Sequence, residues 1–285
     1  MLSGPKSILK KRKIEMIIDF HTHSFPDKIA AKAVASLAQK ANIPPYRDGT
    51  LSSLCESMKK AGVDYSVVLP VATSPKQVES INRLAAELNL KDGIIYAGAI
   101  HPDCENIPEI LDGIKAAGLF GIKIHPDYQG VYFDDPRYIY IMGEAARRNL
   151  ITVTHAGLDL GYPDDIHCTP DRVLNVLEKL SGIIDNKLVL AHLGGCDAAD
   201  EVIEKLCGKP IYMDMSFVTD KFPAEAKRII LAHGADKILF ATDSPWSDQA
   251  EYVKLMSTLG FDDETLEKIL HKNAEMLFGF TDLTF

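Results

Sequence analysis

The feature of the sequence that most constrains its fold is a regular alternation of short β-branched runs with longer helical stretches. From the second run onward, their starts are separated by 29, 26, 31, 37, 23 and 27 residues. This spacing fits one strand and one crossover helix per repeat, which predicts a parallel sheet. The runs lie near Met16 to Phe20, Tyr65 to Leu69, Ile94 to Ile100, Phe120 to Ile124, Ile151 to Thr154, Leu188 to Ala191, Ile211 to Met215 and Ile238 to Ala241.

Eight such units predict a single (β/α)8 TIM barrel, with one domain over residues 16–285. The first unit is longer than the others because it holds a helical insertion, about Asp27 to Ala41. We expect this insertion to lie over the barrel mouth as a lid or substrate wall. Helices over Asp263 to Phe278 follow the last strand. Since Met16 could itself begin the chain, residues 1–15 are predicted to be an N-terminal extension outside the fold.

The predicted helices carry start signals and apolar stripes. Ser74, Asp135 and Thr169 each precede a proline, as residues before the first helical turn commonly do. One stripe is predicted to pack against the sheet. It consists of Val78, Ile81, Leu84, Ala85 and Leu88.

Charge and composition exclude several classes of partner. The net charge is −9, which argues against a polyanion-binding surface and therefore against nucleic acid as a partner. Apolar runs are far shorter than the roughly 18 residues that span a bilayer, so no membrane partner is expected. The five cysteines are scattered, which predicts reduced thiols in a cytoplasmic protein. Whether the chain forms a homo-oligomer stays open.

Histidines gather at the carboxyl ends of the predicted strands. In a (β/α)8 barrel all these ends meet on one face, where active sites are built. Residues two apart on a strand point the same way, so His21 and His23 should form a chelating pair. Neutral imidazoles bind Zn, Mn, Fe, Co or Ni. With His155, His192 and Asp243 also at strand ends, the pattern predicts a metal site.

Five segments at these strand ends carry motifs, and they occur in the same order as the strands. The segments are Asp19-Phe20-His21-Thr22-His23, Gly121-Ile122-Lys123-Ile124-His125-Pro126, Thr154-His155-Ala156-Gly157, Ala191-His192-Leu193-Gly194-Gly195, and Gly234 through Asp243-Ser244-Pro245-Trp246. Together they resemble the amidohydrolase superfamily, and in particular its amidohydrolase-2 branch of predicted metal-dependent hydrolases. The resemblance covers the chain from Met16 onward.

The resemblance implies roles for these positions. It makes His21, His23 and His155 metal ligands, and it makes Asp243 a metal-contacting carboxylate that also shuttles the proton. It implies that His192 orients or polarises the attacking water, or binds a second metal; its imidazole could also stabilise a tetrahedral oxyanion. Lys123 falls where relatives carry a metal-bridging group; it would be a ligand if carboxylated, and otherwise its ammonium would pair with a substrate carboxylate. One or two divalent ions are expected, with zinc as the default and Mn, Fe or Ni as alternatives.

Further residues are candidates for substrate binding. His125 shares the strand face of Lys123, and His101 follows the third predicted strand. His167 lies with Asp159 and Tyr162 in the loop after the fifth strand, a suitable place for substrate recognition. Cys168 in the same loop lacks an identifiable activating neighbour and is disfavoured as a nucleophile. Trp246 either walls the pocket or packs in the core.

The leading functional prediction is metal-assisted hydrolysis of a small substrate that carries an amide, lactone or ester carbonyl. The main alternative is a metal-dependent, non-oxidative decarboxylase of an unsaturated or aromatic carboxylic acid. A metal-dependent deoxyribonuclease of the same superfamily is disfavoured by the negative charge. A non-catalytic binding protein on the same scaffold is disfavoured because Asp243 and the strand-end histidines are all present.

Overall fold

The computed structural model describes residues 16–279, apart from the side chain of Cys196. Its strands form two parallel groups in the order β1-β2-β3 and β4-β5-β6-β7-β8-β9. β3 and β4 are two halves of the third predicted strand, interrupted at Ala97. The strands are β1 Ile18–Thr22, β2 Tyr65–Val68, β3 Ile94–Tyr96, β4 Gly98–Ala99, β5 Gly121–Ile124, β6 Ile151–Thr154, β7 Leu188–Leu190, β8 Tyr212–Asp214 and β9 Ile238–Leu239.

Backbone hydrogen bonds join the first strand to the segment that follows the last one. The Phe20 N–H donates to the Phe240 carbonyl at 2.8 Å, and the Asp243 N–H donates to the His21 carbonyl at 2.8 Å. Thr22 and Ser244 form a further parallel bridge. The first and last strands therefore lie side by side, as they do in a (β/α)8 barrel.

The helices lie between successive strands, as the spacing predicts. The expected start residues Asp135 and Thr169 accept hydrogen bonds from backbone N–H groups of the helices that follow them. A capping box at Ser74 opens the short Pro75–Gln77 turn. The helices are α1 Asp27–Ala41, α2 Leu51–Ala61, α3 Val78–Leu88, α4 Ile107–Ala116, α5 Pro126–Gln129, α6 Pro136–Arg147, α7 Pro170–Lys179, α8 Ala199–Lys205, α9 Pro223–His233, α10 Gln249–Met256, α11 Asp263–Glu267 and α12 Asn273–Phe278.

An apolar core fills the barrel interior below the strand ends. Ile18, Phe20 and Val189 belong to it, together with other small and branched side chains from neighbouring strands. The ring of Phe278 stacks on Phe20 with centroids 5.5 Å apart, so α12 covers the amino-terminal end of the barrel. The opposite end, where the strands finish, is left for polar side chains.

The insertion helix predicted over Asp27 to Ala41 is present with those bounds. None of the helices described between residues 16 and 279 is long and apolar enough to span a membrane. The predicted extension at residues 1–15 lies outside the described residues.

Candidate functional site

A cavity of about 1580 Å3 opens at the carboxyl ends of the strands. Part of its wall comes from α1 and the segment around it, so the insertion stands at the barrel mouth, as expected for a lid or substrate wall. The polar side chains of the cavity floor come from the ends of β1, β5, β6, β7 and β9. The predicted candidates among them are His21, His23, Lys123, His125, His155, His192 and Asp243.

Two histidines and one carboxylate converge at the centre of this floor. The Nε2 atoms of His21 and His23 are 3.2 Å apart. One oxygen of Asp243 lies 3.2 Å from the Nε2 of His23 and 3.5 Å from that of His21. A bulge between Asp19 and Thr22 shifts the register of β1 against β2. Since bulges redirect side chains, it helps to aim both imidazoles at the cavity above the apolar core.

The other ring nitrogen of each histidine is bonded to a fixed acceptor. Nδ1 of His23 lies 2.9 Å from the Leu69 carbonyl, and Nδ1 of His21 lies 2.8 Å from the Asp214 carboxylate. Because a carbonyl and a carboxylate only accept, each Nδ1 carries the proton of its ring. Burial, with a further contribution from the charge of Lys123, lowers the pKa of His21 to about 4, so this ring is neutral at pH 7. In the neutral form of each ring, the Nε2 atom presents its lone pair to the other ring and to Asp243.

This arrangement fits a divalent metal ion. The two Nε2 atoms and the Asp243 oxygen lie 3.2 to 3.5 Å apart. When both rings are neutral, no proton lies between the two Nε2 atoms, so a metal ion can occupy the space that the three atoms face. Tetrahedral ligands at about 2.1 Å from a zinc ion would be separated by about 3.4 Å, close to these distances. Two imidazoles and a carboxylate also suit manganese, iron and nickel.

Asp214, at the end of β8, was missed by the sequence reasoning. Its side chain is fully buried and accepts the His21 Nδ1–H, and it also accepts the backbone N–H groups of His192 and Ser216. A carboxylate that fixes the tautomer of a ligand histidine is a common supporting group in metal sites. The available signal was an acidic residue inside the apolar run Ile211 to Met215, because acids are rarely buried without a partner.

A second group lies beside the first and consists of His125, His155 and Asp159. Their ligand atoms all lie within 4.8 Å of one another. The rings of His125 and His155 stack with centroids 4.3 Å apart. The structure thus places His155 with this group, whereas the resemblance grouped it with His21 and His23.

His192 connects the two groups. Its Nδ1 lies 3.1 Å from the Ser216 carbonyl, so it donates there and its Nε2 accepts. The Nε2 of His192 lies 3.1 Å from the Nδ1 of His155. The His155 Nδ1 is the donor in this contact, so it carries the proton of the His155 ring. The Nε2 of His155 is then an acceptor; it is buried, lacks a hydrogen-bond partner and lies 4.0 Å from the equally unpartnered Oδ2 of Asp127.

His125 differs from His21 and His23 in its tautomer. Its Nδ1 accepts the backbone N–H of Tyr128 at 3.4 Å, because His125 is the residue before α5. Burial lowers the pKa of His125 well below 6.5, so the ring is neutral and its single proton lies on Nε2. That N–H points toward Asp159 at 3.5 Å. His125 therefore offers the cavity a hydrogen-bond donor, in contrast to the lone pairs of His21 and His23.

Lys123 is almost completely buried on the cavity floor. Its Nζ lies 3.5 Å from the Nε2 of His21, at the outer limit of a hydrogen bond. Burial lowers the pKa of Lys123 to about 8, and the nearby carboxylates Asp214 and Asp243 oppose this shift. The ammonium form still predominates at pH 7, with a neutral fraction available for chemistry.

The backbone at two site residues lies in the left-handed region. The φ angle is 57° at His192 and 67° at Asp243. Such conformations are uncommon outside glycine and concentrate at functional sites. Burial raises the pKa of Asp243, but the adjacent histidines outweigh this effect and hold it at about 2. Asp243 is therefore a carboxylate at neutral pH.

The remaining candidates lie further out. His101 accepts the Asp103 N–H on its Nδ1 and does not line the cavity. His167 does not line the cavity either. Its Nδ1 lies 3.0 Å from the carboxylate of Asp127, whose other oxygen is 4.0 Å from His155. Burial raises the pKa of the Cys168 thiol well above 9, which disfavours a nucleophilic role. Trp246 does line the cavity.

A family model described as amidohydrolase matches residues 18–280. The chain belongs to the amidohydrolase family. The resemblance inferred from the strand-end motifs is thereby confirmed. A sequence search among curated proteins gave no match.

Solved structures share the fold of this chain at low sequence identity. An uncharacterized TIM-barrel protein from Bordetella bronchiseptica is 19% identical with a TM-score of 0.70, over 93% of this chain and 99% of that one. A probable 2-pyrone-4,6-dicarboxylic acid hydrolase from Acinetobacter baumannii, with citric acid bound, is 17% identical with a TM-score of 0.65, over 93% of this chain and 100% of that one. The 5-carboxyvanillate decarboxylase of Novosphingobium aromaticivorans, complexed with manganese and 4-hydroxy-3-methoxy-5-nitrobenzoic acid, is 15% identical with a TM-score of 0.65, over 93% and 96% of the two chains. The predicted TIM barrel is confirmed, and the neighbours named here include one probable hydrolase and one decarboxylase.

Proposed function

We propose that this protein is a metal-dependent hydrolase that acts on an amide, lactone or ester carbonyl of a small substrate. The observation that supports it is the convergence of two histidine lone pairs and the ionised Asp243 at the cavity floor. A divalent ion held by these residues supplies a Lewis acid that polarises a carbonyl oxygen and acidifies water. Zinc is the ion we propose, although manganese, iron and nickel suit the same ligands.

Asp243 is the group that we assign to proton transfer. Its carboxylate is ionised at neutral pH, so it has the acceptor oxygens to take the proton of the attacking water and return it to the leaving group. Its backbone N–H is bonded to the His21 carbonyl at 2.8 Å, which fixes the carboxylate against the two histidines. A fixed base avoids the reorganisation that a mobile one would need.

Donors around the floor can orient and stabilise the substrate. The His125 Nε2–H lies 3.5 Å from Asp159 in the cavity lining, and a developing oxyanion can replace Asp159 as its acceptor. Lys123, if unmodified, offers an ammonium that pairs with a substrate carboxylate; if carboxylated, it becomes an additional metal ligand. His192 hydrogen-bonds to both His155 and the Ser216 carbonyl, and so holds the His155 ring in place beside the His21 and His23 pair.

The second candidate function is the non-oxidative decarboxylation of an unsaturated or aromatic acid. Two observations favour it: the buried ammonium of Lys123 lies 3.5 Å from His21, where it could hold a substrate carboxylate, and one structural neighbour is a decarboxylase with manganese bound. In this reaction the ligand residues would anchor the acid, the bond to its carboxyl carbon would break with release of carbon dioxide, and Asp243 would relay a proton from solvent to the carbon that is left.

Isotope labelling separates the two reactions. The protein, loaded with Zn or Mn, is incubated in H2(18)O and in D2O with panels of lactones, esters, N-acyl amides and aromatic acids. Hydrolysis places one solvent oxygen in the product carboxyl group and releases no carbon dioxide. Decarboxylation releases carbon dioxide and places solvent deuterium on carbon. Carbon dioxide release without solvent oxygen in any product would replace the hydrolase proposal by the decarboxylase.

A further inference from the structure

A groove between the helices extends the cavity away from the polar floor. Its apolar lining comes from α1, α2, the segment that joins them, and α3. We call this region the side groove. It is lined by Leu37, Ile43, Leu51, Ile81, Leu84 and Leu88.

The apolar stripe of α3 is only partly used for packing. Val78 and Ala85 are buried, as a helix packed on a sheet requires. Ile81, Leu84 and Leu88 fall on the same stripe but are only half-buried, and they line the side groove. These half-buried side chains leave part of their apolar surface open to the cavity, and exposed apolar patches of this kind mark binding sites.

Exposed apolar side chains also surround the mouth of the same cavity. Ile29 is 51% exposed, Leu160 is 41% exposed and Phe222 is 47% exposed. They come from α1, from the loop after β6 and from the loop after β8, yet all three line the cavity. Three separate segments thus present apolar groups to whatever enters.

The side groove and the candidate reaction centre belong to one cavity of about 1580 Å3. Sites for drug-sized ligands are typically about 300 to 1,000 Å3, so this space exceeds what a single ring with polar substituents requires. Because the two regions are continuous, a single ligand can reach both. A molecule with a reactive head at Lys123 and Asp243 can extend an apolar body along α3.

We infer that the substrate class is a carbonyl or carboxylate compound with an extended apolar chain, and that the side groove holds this chain. The placement of the reactive head rests on the proposed function; the binding of the chain depends only on the side groove. The apolar surface that the chain covers provides the affinity, because each methylene removed from water contributes roughly equally.

Binding of unbranched alkanoates tests this inference without any turnover. Association constants of acetate, butanoate, hexanoate, octanoate and decanoate are measured by calorimetry on the metal-loaded protein and on the metal-free protein. Burial of one methylene contributes about 0.8 kcal/mol, which corresponds to an affinity gain of about three- to fourfold per methylene. We expect gains of that size up to decanoate. A flat series would overturn the inference.

Two tryptophan substitutions in α1 test where the apolar chain of the ligand binds. Ala33 is half-buried and lines the cavity, so Ala33→Trp fills space beside the side groove. Ala35 is exposed on the same helix and does not line the cavity, so Ala35→Trp is the matched control. We expect Ala33→Trp to reduce the affinity for decanoate at least tenfold and that for acetate less than twofold, with Ala35→Trp like wild type. Equal losses in the two variants would overturn the inference.

Three further outcomes separate the alternatives. A dimer by sedimentation that Ala33→Trp dissociates would mean that a second copy covers the side groove, which overturns the inference. A preserved chain-length dependence in a protein that neither hydrolyses nor decarboxylates any panel compound would support the side groove and remove the proposed function. Turnover of short substrates together with a flat alkanoate series would support the proposed function and overturn the inference about the side groove.

Discussion

Replacing Asp214 by asparagine should weaken metal binding without a direct contact to the ion. Asp214 lies 2.8 Å from the Nδ1–H of His21, and both side chains are at most 1% exposed. Removing its negative charge makes the His21 Nε2 a poorer ligand, and losses of supporting carboxylates cost about 10- to 100-fold in metal affinity. This corresponds to about 1.4 to 2.7 kcal/mol.

The same substitution also affects folding. The Asp214 oxygens accept three N–H groups, from His21, His192 and Ser216. An asparagine has only one oxygen, so in either orientation its amide N–H groups face a donor. A buried donor left without an acceptor costs about 1 to 3 kcal/mol, and we expect the free energy of unfolding to fall by that amount.

The assay for Asp214→Asn is competition for zinc with a chromophoric chelator, at a temperature where circular dichroism shows the variant to be folded. The matched control is Asp112→Asn, because Asp112 pairs with Arg148 on the surface at 2.7 Å and its side chain is 66% exposed. Exposed pairs contribute at most about 1 kcal/mol, so the control should bind zinc like wild type. A zinc affinity of Asp214→Asn within threefold of the control would refute the supporting role of Asp214.

Three other predictions follow from the site and from the barrel base. Asp243→Asn should fold normally, by circular dichroism, and lose about 10²- to 10⁴-fold in kcat on any substrate found; unchanged turnover would remove Asp243 from the reaction. Elemental mass spectrometry should find about one or two ions per chain, and the double variant His21→Ala, His23→Ala should lose them; an ion-free wild type, even after incubation with Zn or Mn, would make the metal proposal wrong. Burial lowers the pKa of His233 below 6.5 in the folded protein. As the pH drops below 6.5, the unfolded chain takes up a proton at this histidine while the folded protein does not, so the free energy of unfolding falls. Urea unfolding of His233→Gln should therefore show a shallower loss toward pH 5, by up to about 1.4 kcal/mol per pH unit, and equal slopes in the two proteins would contradict this reasoning.

The strand-end candidates could be predicted because a barrel brings distant residues together by a simple rule. Parallel strands end on one face, so His21, Lys123, His155 and Asp243 had to be neighbours once eight βα units were recognised. Family motifs then added roles to these positions. Asp214 escaped because a lone acid in an apolar strand has no spacing pattern to reveal it.

The apolar stripe of α3 shows a second limit of the sequence. Its periodicity predicted packing against the sheet, and Val78 and Ala85 do pack there. Ile81 and Leu84 have the same periodicity but line the side groove. Hydrophobic spacing identifies the apolar face of a helix, and the position of the neighbouring helices decides whether that face is covered.

The sequence by itself determined the barrel, the insertion after the first strand and the set of side chains at the mouth. The tertiary structure alone decided which nitrogen each histidine presents. His21 and His23 offer lone pairs because Asp214 and the Leu69 carbonyl hold their protons, whereas His125 offers a proton because the Tyr128 N–H occupies its other nitrogen. The tautomer of a neutral imidazole follows the partner of its second nitrogen. For His21 and His23 that partner comes from another strand, so the choice between lone pair and proton is fixed only when the barrel forms.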